Sequence, residues 1–220
     1  MALTDLASAA GLPKSTASRL VSALERRGLI EQDGERGRLR PGPAILRVAE
    51  RSMLERNIVQ LAKPTLDVLA DATGETINLA VPGPDGVEHI AQVDSRHFLG
   101  TGQWLGRSVG YEHSANGKVF AAFGRAPASA VPTGAASTRE LQVVLRDAFA
   151  TSIDELEIGL SAMAAPVRGA RGEVIAALSI SGPSLRMSPA RIEELRPTLI
   201  SEAGTLSHRL GHRDQGERAA

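Results

Sequence analysis

Gly11-Leu12-Pro13-Lys14-Ser15-Thr16-Ala17-Ser18-Arg19-Leu20-Val21-Ser22-Ala23-Leu24-Glu25-Arg26-Arg27-Gly28-Leu29 reads as a helix whose own chemistry marks both of its ends. Pro13 stands where a helix takes its first residue, because its missing N–H has no intrahelical partner there. Ala17, Leu20, Val21 and Leu24 recur at helical spacing and form one apolar stripe. Ser15, Ser18, Arg19, Ser22 and Arg26 recur on another face, which is short, hydroxyl-rich and basic. Such a face can approach a nucleic-acid duplex closely, donating to phosphates and base edges without steric bulk. Gly28 ends the helix. Alone, the stretch fits an ordinary amphipathic helix with a solvated face equally well, so its neighbours decide.

Upstream, Leu3 to Ala10 reads as a shorter helix ending at Gly11, one tight turn before Pro13. Helix, glycine turn, helix is the helix-turn-helix pattern, whose second helix enters the major groove. Downstream, Leu29-Ile30-Glu31 and Arg38-Leu39-Arg40 read as short strands around Asp33-Gly34-Glu35-Arg36-Gly37, which is strong turn chemistry. The result is a basic hairpin wing. This reading places Lys14, Arg19, Arg36 and Arg38 on phosphates and Ser15, Thr16, Ser18 and Ser22 near base edges.

The run LTDLASAAGLPKSTASRLVSALERRGLIEQDGERGRLRPGP resembles the winged helix-turn-helix of IclR-type bacterial transcriptional regulators. The resemblance continues through HSANGKVFAAFG and AAPVRGARGEVIAALSISGPS, so three motifs fall in order along nearly the whole chain. It implies an α+β protein: a winged helix-turn-helix head, a linker helix and a GAF-like effector-binding body. It also implies a double-stranded DNA operator, a small organic acid or aromatic carboxylate as effector, and a homodimer or homotetramer. Two departures stand out. The family carries a further helix before the segment at Leu3; either the start of this chain is placed late, or the head is incomplete and Leu20 and Leu24 lack cover. Pro41 stands where the family has an apolar residue closing the second strand.

The charge is unevenly spread although Lys and Arg total 25 and Asp and Glu total 25. Residues 1–56 hold 10 basic against 7 acidic residues, and residues 57–220 hold 15 against 18. A basic head on an acidic body fits a DNA-reading module joined to one that does not touch DNA. The absence of cysteine excludes disulfides, thiolate metal sites and a cysteine nucleophile. No apolar run approaches the roughly 20 residues of a membrane span, and no signal-peptide pattern opens the chain. The expectation is a cytoplasmic protein without membrane contact. Aromatics at 3% leave few platforms for single-stranded bases, which favours a duplex reader.

In order, residues 1–42 form the DNA-binding head and 43–57 a linker helix with Ile45, Val48, Ala49 and Met53 on one face. The effector-binding domain takes residues 58–212 and a frayed tail residues 213–220. The body opens with a helix over 58–72 interrupted near Pro64. Strands follow at 76–81 and 87–93, and a third near 98–101. A helix covers 114–123, a loose surface loop 125–138 and another helix 139–150. Two strands at 160–167 and 173–181 make a hairpin, and Ser188 caps a final helix that Pro197 should kink or break.

Catalytic signatures are missing: there is no G-x-S-x-G, S-x-x-K or H-E-x-x-H. The reading is therefore not an enzyme and needs no cofactor. Asn116-Gly117-Lys118 touches the phosphate-loop pattern, but its glycine spacing is wrong and Val119 replaces the hydroxyl residue. His208 and His212, four apart, lack a third metal ligand. The family resemblance places the effector site at Ala115 and Asn116, Ala162, Ser179 and Ser181. Ser179 and Ser181 lie two apart on a strand and face one side. A helix N-terminus opposite them would favour an anion; plain satisfaction of backbone groups by the serines is the alternative. Ser152 stands where family members can carry a pocket carboxylate, ahead of Asp154 and Glu155, which should admit a more negative or bulkier ligand. Phe98 and Thr101 would line the apolar end. The rival from another class is a stand-alone metabolite-binding domain or small enzyme with a degenerate head.

Overall fold

The computed structural model describes residues 2–33 and 38–213, with residues 33 and 46–57 described by backbone alone. The chain divides into two compact units, residues 1–57 and 58–220.

In the first unit, α1 (Leu3–Ala9) and α2 (Lys14–Arg26) are joined across Gly11. Gly28 takes φ +66°, and its N–H bonds the Glu25 carbonyl while that of Leu29 bonds Leu24, so the last turn of α2 is closed by left-handed backbone that glycine adopts without strain. Pro13 is the residue just before the helix, with extended ψ, rather than its first residue. Its carbonyl accepts from Ala17. Strands β1 (Ile30–Asp33) and β2 (Arg38–Pro41) form an antiparallel wing in which Pro41 faces Ile30. A proline is tolerated at that strand end because no inner ladder bond is lost. Of the apolar stripe only Ala17 and Val21 are buried; Leu20 is 50% exposed and Leu24 37%.

The helices expected at 43–57 and 58–72 are one element, α3 (Pro43–Thr73), and Pro64 does not end it. Loss of one backbone bond at Pro64 is outweighed by burial of Ile58, Ala62, Leu66, Leu69 and Ala70 on the sheet. The second unit is built on a six-stranded antiparallel sheet, ordered β5-β4-β3-β8-β7-β6. Its strands are β3 (Thr76–Pro82), β4 (Val87–Val93), β5 (Ser108–Val109), β6 (Ala150–Ile153), β7 (Leu160–Arg168) and β8 (Val174–Pro183). No strand forms near 98–101. There the chain is tied back instead, by Ser95 Oγ and the Arg96 N–H donating to the Gly74 carbonyl.

Alternation along the strands sorts residues onto two faces. Ile77, Leu79, Met163, Ala165, Leu178 and Ile180 pack against α3 and α6 (Pro189–Arg209). Pro197 lies within α6 without ending it, its neighbours Leu195 and Leu199 being anchored in this core. Ala80, Ala164 and Ala177 face α4 (Ala115–Ala122) and α5 (Ala135–Asp147), with Phe120 and Val119 filling the space. The segment expected as a loose loop contains a 3-10 turn (Ala128–Ala130) and the first turn of α5, and Ala126 and Ala130 pack on this second core. Helix α5 ends at Asp147, capped by Ala148 in left-handed backbone, so it stops short of the expected residue 150, which opens β6 instead.

Candidate functional site

On the head, Lys14, Ser15, Thr16, Ser18 and Arg19 are exposed along α2, and Ser22 is half-buried. Arg38 is exposed on β2. Arg36 lies outside the described residues. Helix α2 and one strand of the wing thus carry four hydroxyls and three cations, all exposed but the half-buried Ser22.

In the body, a small pocket opens between the α4 face of the sheet and the start of α4, with a cavity volume of about 30 Å³. Ala115, Asn116, Ser152, Ala162, Ser179 and Ser181 all line it. The pairing register explains the gathering: Asn78 is opposite Ser179 across β3 and β8, and Ala162 is opposite Ser181 across β7 and β8. Helix α4 arrives close because Gly117 has no side chain; a Cβ there would overlap the Tyr111 backbone. Ser114 caps the helix, its Oγ accepting from the Gly117 N–H.

The other two expected residues fall elsewhere. Phe98 is fully exposed on a separate open groove beside His97, because its segment does not join the sheet. Thr101 lines that groove too, yet its Oγ1 comes within 3.5 Å of Ser181 Oγ at the pocket rim. This segment is held down by Arg186, which donates to the buried Glu75 carboxylate at 2.6 and 2.8 Å and to the Leu99 carbonyl at 2.8 Å.

Asn78, His89, Trp104, Val109, Ser114, Leu156 and Leu160 complete the lining. Sequence reasoning missed Asn78, a lone polar residue between Ile77 and Leu79, and named His89 only as one of three scattered histidines, His89, His97 and His113, without choosing it for the pocket. The amides and ring of the wall form a chain: Asn116 Nδ2 donates to Ser179 Oγ at 3.1 Å and lies 3.4 Å from His89 Nε2. Asn78 Nδ2 donates to Ser181 Oγ at 3.3 Å. Burial pushes the His89 imidazole below its ordinary value of 6.5, with the Arg107 backbone carbonyl pulling weakly the other way. The ring is neutral at pH 7.

Two buried oxygens, Asn78 Oδ1 and Asn116 Oδ1, have no hydrogen-bond partner in the protein. Each such group costs about 1–3 kcal/mol unless something donates to it. Ser152 is engaged already, its Oγ donating to the His113 carbonyl at 2.6 Å. Lys118 points away from the pocket lining into its own ion pairs, 2.6 Å from both Glu140 and Glu155. That compensation leaves no cation for a phosphate at Asn116-Gly117-Lys118. Asp154 is likewise structural, accepting from the Gly159 N–H and Ser184 Oγ, which hold its carboxyl below the usual range. His208 and His212 stack at 6.3 Å, but no group of three metal-type ligands occurs among the described residues.

Residues 1–34 match the IclR helix-turn-helix domain model, and residues 51–131 and 133–208 match that of the bacterial transcriptional regulator IclR C-terminal domain. The HTH-type transcriptional regulator BhcR of Paracoccus denitrificans is 28% identical over 235 residues, covering 100% of this chain and 84% of its own. The acetate operon repressor of Salmonella typhimurium is 30% identical over 222 residues, covering 92% and 80%. The crystal structure of Pseudomonas aeruginosa HmgR shares 26% identity with a TM-score of 0.66, covering 98% of this chain and 92% of that one.

Proposed function

The chain belongs to the IclR family of bacterial transcriptional regulators, and on that premise we propose that it is a DNA-binding regulator whose body senses a small organic acid. Its relatives are regulators rather than enzymes, which sets aside the small-enzyme reading. In this reading α2 enters the major groove of an operator duplex. Lys14, Arg19, Arg36 and Arg38 meet phosphates, and Ser15, Thr16, Ser18 and Ser22 approach base edges. A single helix reads few base pairs, so two heads on two half-sites are required and the chain works as a homodimer or homotetramer.

The observation that carries the sensing half is the pocket itself: buried, polar on one wall, and holding two oxygens with no protein partner. The start of α4 offers N–H groups that favour an anion there. Described helices include none long and apolar enough to cross a membrane.

Duplex binding to the gene's own upstream region, followed by fluorescence anisotropy, tests the reading. Affinity should fall steeply with salt as counterions are released, and Arg19→Ala should weaken it at every salt concentration. A small acid that binds the body should change operator affinity by the same factor by which operator changes its own binding. No salt-dependent binding to any fragment of that region would overturn the regulator reading. A strict monomer in sedimentation at micromolar concentration would overturn the two-headed arrangement.

A further inference from the structure

We propose that the ligand of this pocket is a hydroxylated carboxylic acid, with at least one hydroxyl on its carbon chain, rather than a plain or aromatic acid. The inference rests on the sensing role above and narrows the chemistry of the same site.

The hydrogen-bond pattern of the wall is directional. Asn116 Nδ2 donates to Ser179 Oγ and lies 3.4 Å from His89 Nε2, and its oxygen is left without a partner in the wall. Asn78 repeats the arrangement against Ser181. Both asparagines are more than nine-tenths buried, at 5% and 2% exposure, and both oxygens are unpartnered. These are acceptors and want donors.

An ionised carboxylate has only acceptors, and so has the rim of an aromatic acid apart from its C–H groups. Either would leave both oxygens unmatched and place like partial charges together. A hydroxyl supplies the missing donor. Ser179 supplies a complement, because it accepts from the Asn116 amide and its own O–H can donate; Ser181 accepts from Asn78 and shares a contact with Thr101.

No Lys, Arg, Asp or Glu lines the pocket among the described residues, so a ligand charge is met only by dipoles. The first N–H groups of α4, at Ala115 and Asn116, have no intrahelical acceptor and suit a carboxylate end. Trp104 and Leu160 present apolar surface to the C–H edges of the carbon chain. Carboxylate at the helix start, hydroxyls on the asparagine oxygens and carbon against Trp104 match these three features of the wall, and a ligand oxygen can also meet His89 Nδ1, which has no partner in the protein.

The full chain is titrated calorimetrically with carbon-matched pairs, gluconate against hexanoate and glycerate against propanoate, with benzoate and glycerol alongside. One hydroxylated acid should bind at least about tenfold more tightly than its plain partner, because a site built to bond a hydroxyl rejects the analogue lacking it. Asn116→Leu should bring that ratio to within about twofold, since it removes the acceptor and keeps the volume. Asn78→Leu gives the same readout should the first variant fail to fold. Equal or tighter binding of hexanoate, propanoate or benzoate overturns the hydroxyl requirement and leaves the sensing role standing. Equal binding of glycerol and glycerate overturns the carboxylate end. Failure of every acid to bind overturns the sensing role, and this inference with it.

Discussion

The two faces of the body sheet are made by the same strands and do opposite things. Toward α3 and α6, β3 and β8 present Ile77, Leu79, Leu178 and Ile180, all fully buried among aliphatic neighbours. Toward α4, the alternate positions of those strands present Asn78, Ser179 and Ser181. One face is dry and filled. The other trades filling for polar atoms, two of which the protein itself never satisfies. A strand can carry both roles because its side chains alternate with period two, so a residue chosen for recognition need not disturb the packing beneath it. The α3 face is filled throughout; the α4 face carries a second core around Val119 and Phe120 beside the polar pocket.

The sharpest break of this contrast is on the dry face. Leu178→Ala should cost about 2–5 kcal/mol in denaturant unfolding, since it opens a cavity among residues that have little room to collapse. A cost under about 1 kcal/mol would mean the dry face is not the main support. Next in size is Lys118, whose side chain is 3% exposed and whose ammonium lies between Glu140 and Glu155. Lys118→Met leaves two facing carboxylates; their 50% and 37% exposure limits the loss to about 1–3 kcal/mol, below the range for a fully buried pair. Urea unfolding at low and high salt checks it, and salt should lessen the cost.

His89 gives a smaller effect with a definite sign. Its folded pKa lies below the ordinary 6.5 because of burial, so as pH falls through that value the unfolded chain takes up a proton that the folded chain refuses. Stability is present above the ordinary value and drains as pH falls toward the lowered one. His89→Gln should flatten this part of the pH profile measured by thermal unfolding. An unchanged profile would mean the ring is hydrated and not part of the buried wall.

Much of the fold was legible because it depends on short-range pattern. The α2 stripe, the Gly28 stop and the Ser188 cap each follow from neighbours within a few residues. The misreadings came where local rules were outvoted by packing. Pro64 and Pro197 sit in helices that continue because their neighbours are pinned to the sheet. Residues 98–101 have strand-like composition but no partner strand, so Phe98 ends in solvent. In the pocket, the serines of β8 and the start of α4 could be placed by alternation and resemblance. Asn78 and His89 could not, since their meeting with Ser181 and Asn116 depends on register between segments 103 and 27 residues apart. A lone asparagine inside Ile77-Asn78-Leu79 was the available signal.

The measurement that tests the division of labour most directly is made on one variant, Asn116→Leu, by two readouts on the same full-length preparation. Chemical unfolding without ligand should show a loss of less than about 2 kcal/mol, because removing the unsatisfied oxygen offsets part of the cost of leaving Ser179 Oγ and His89 Nε2 without the amide donor. The thermal shift given by whichever hydroxylated acid stabilises the parent should vanish. A loss of more than about 2 kcal/mol with the ligand shift intact would contradict the account, since Asn116 would then be holding the fold and not the ligand.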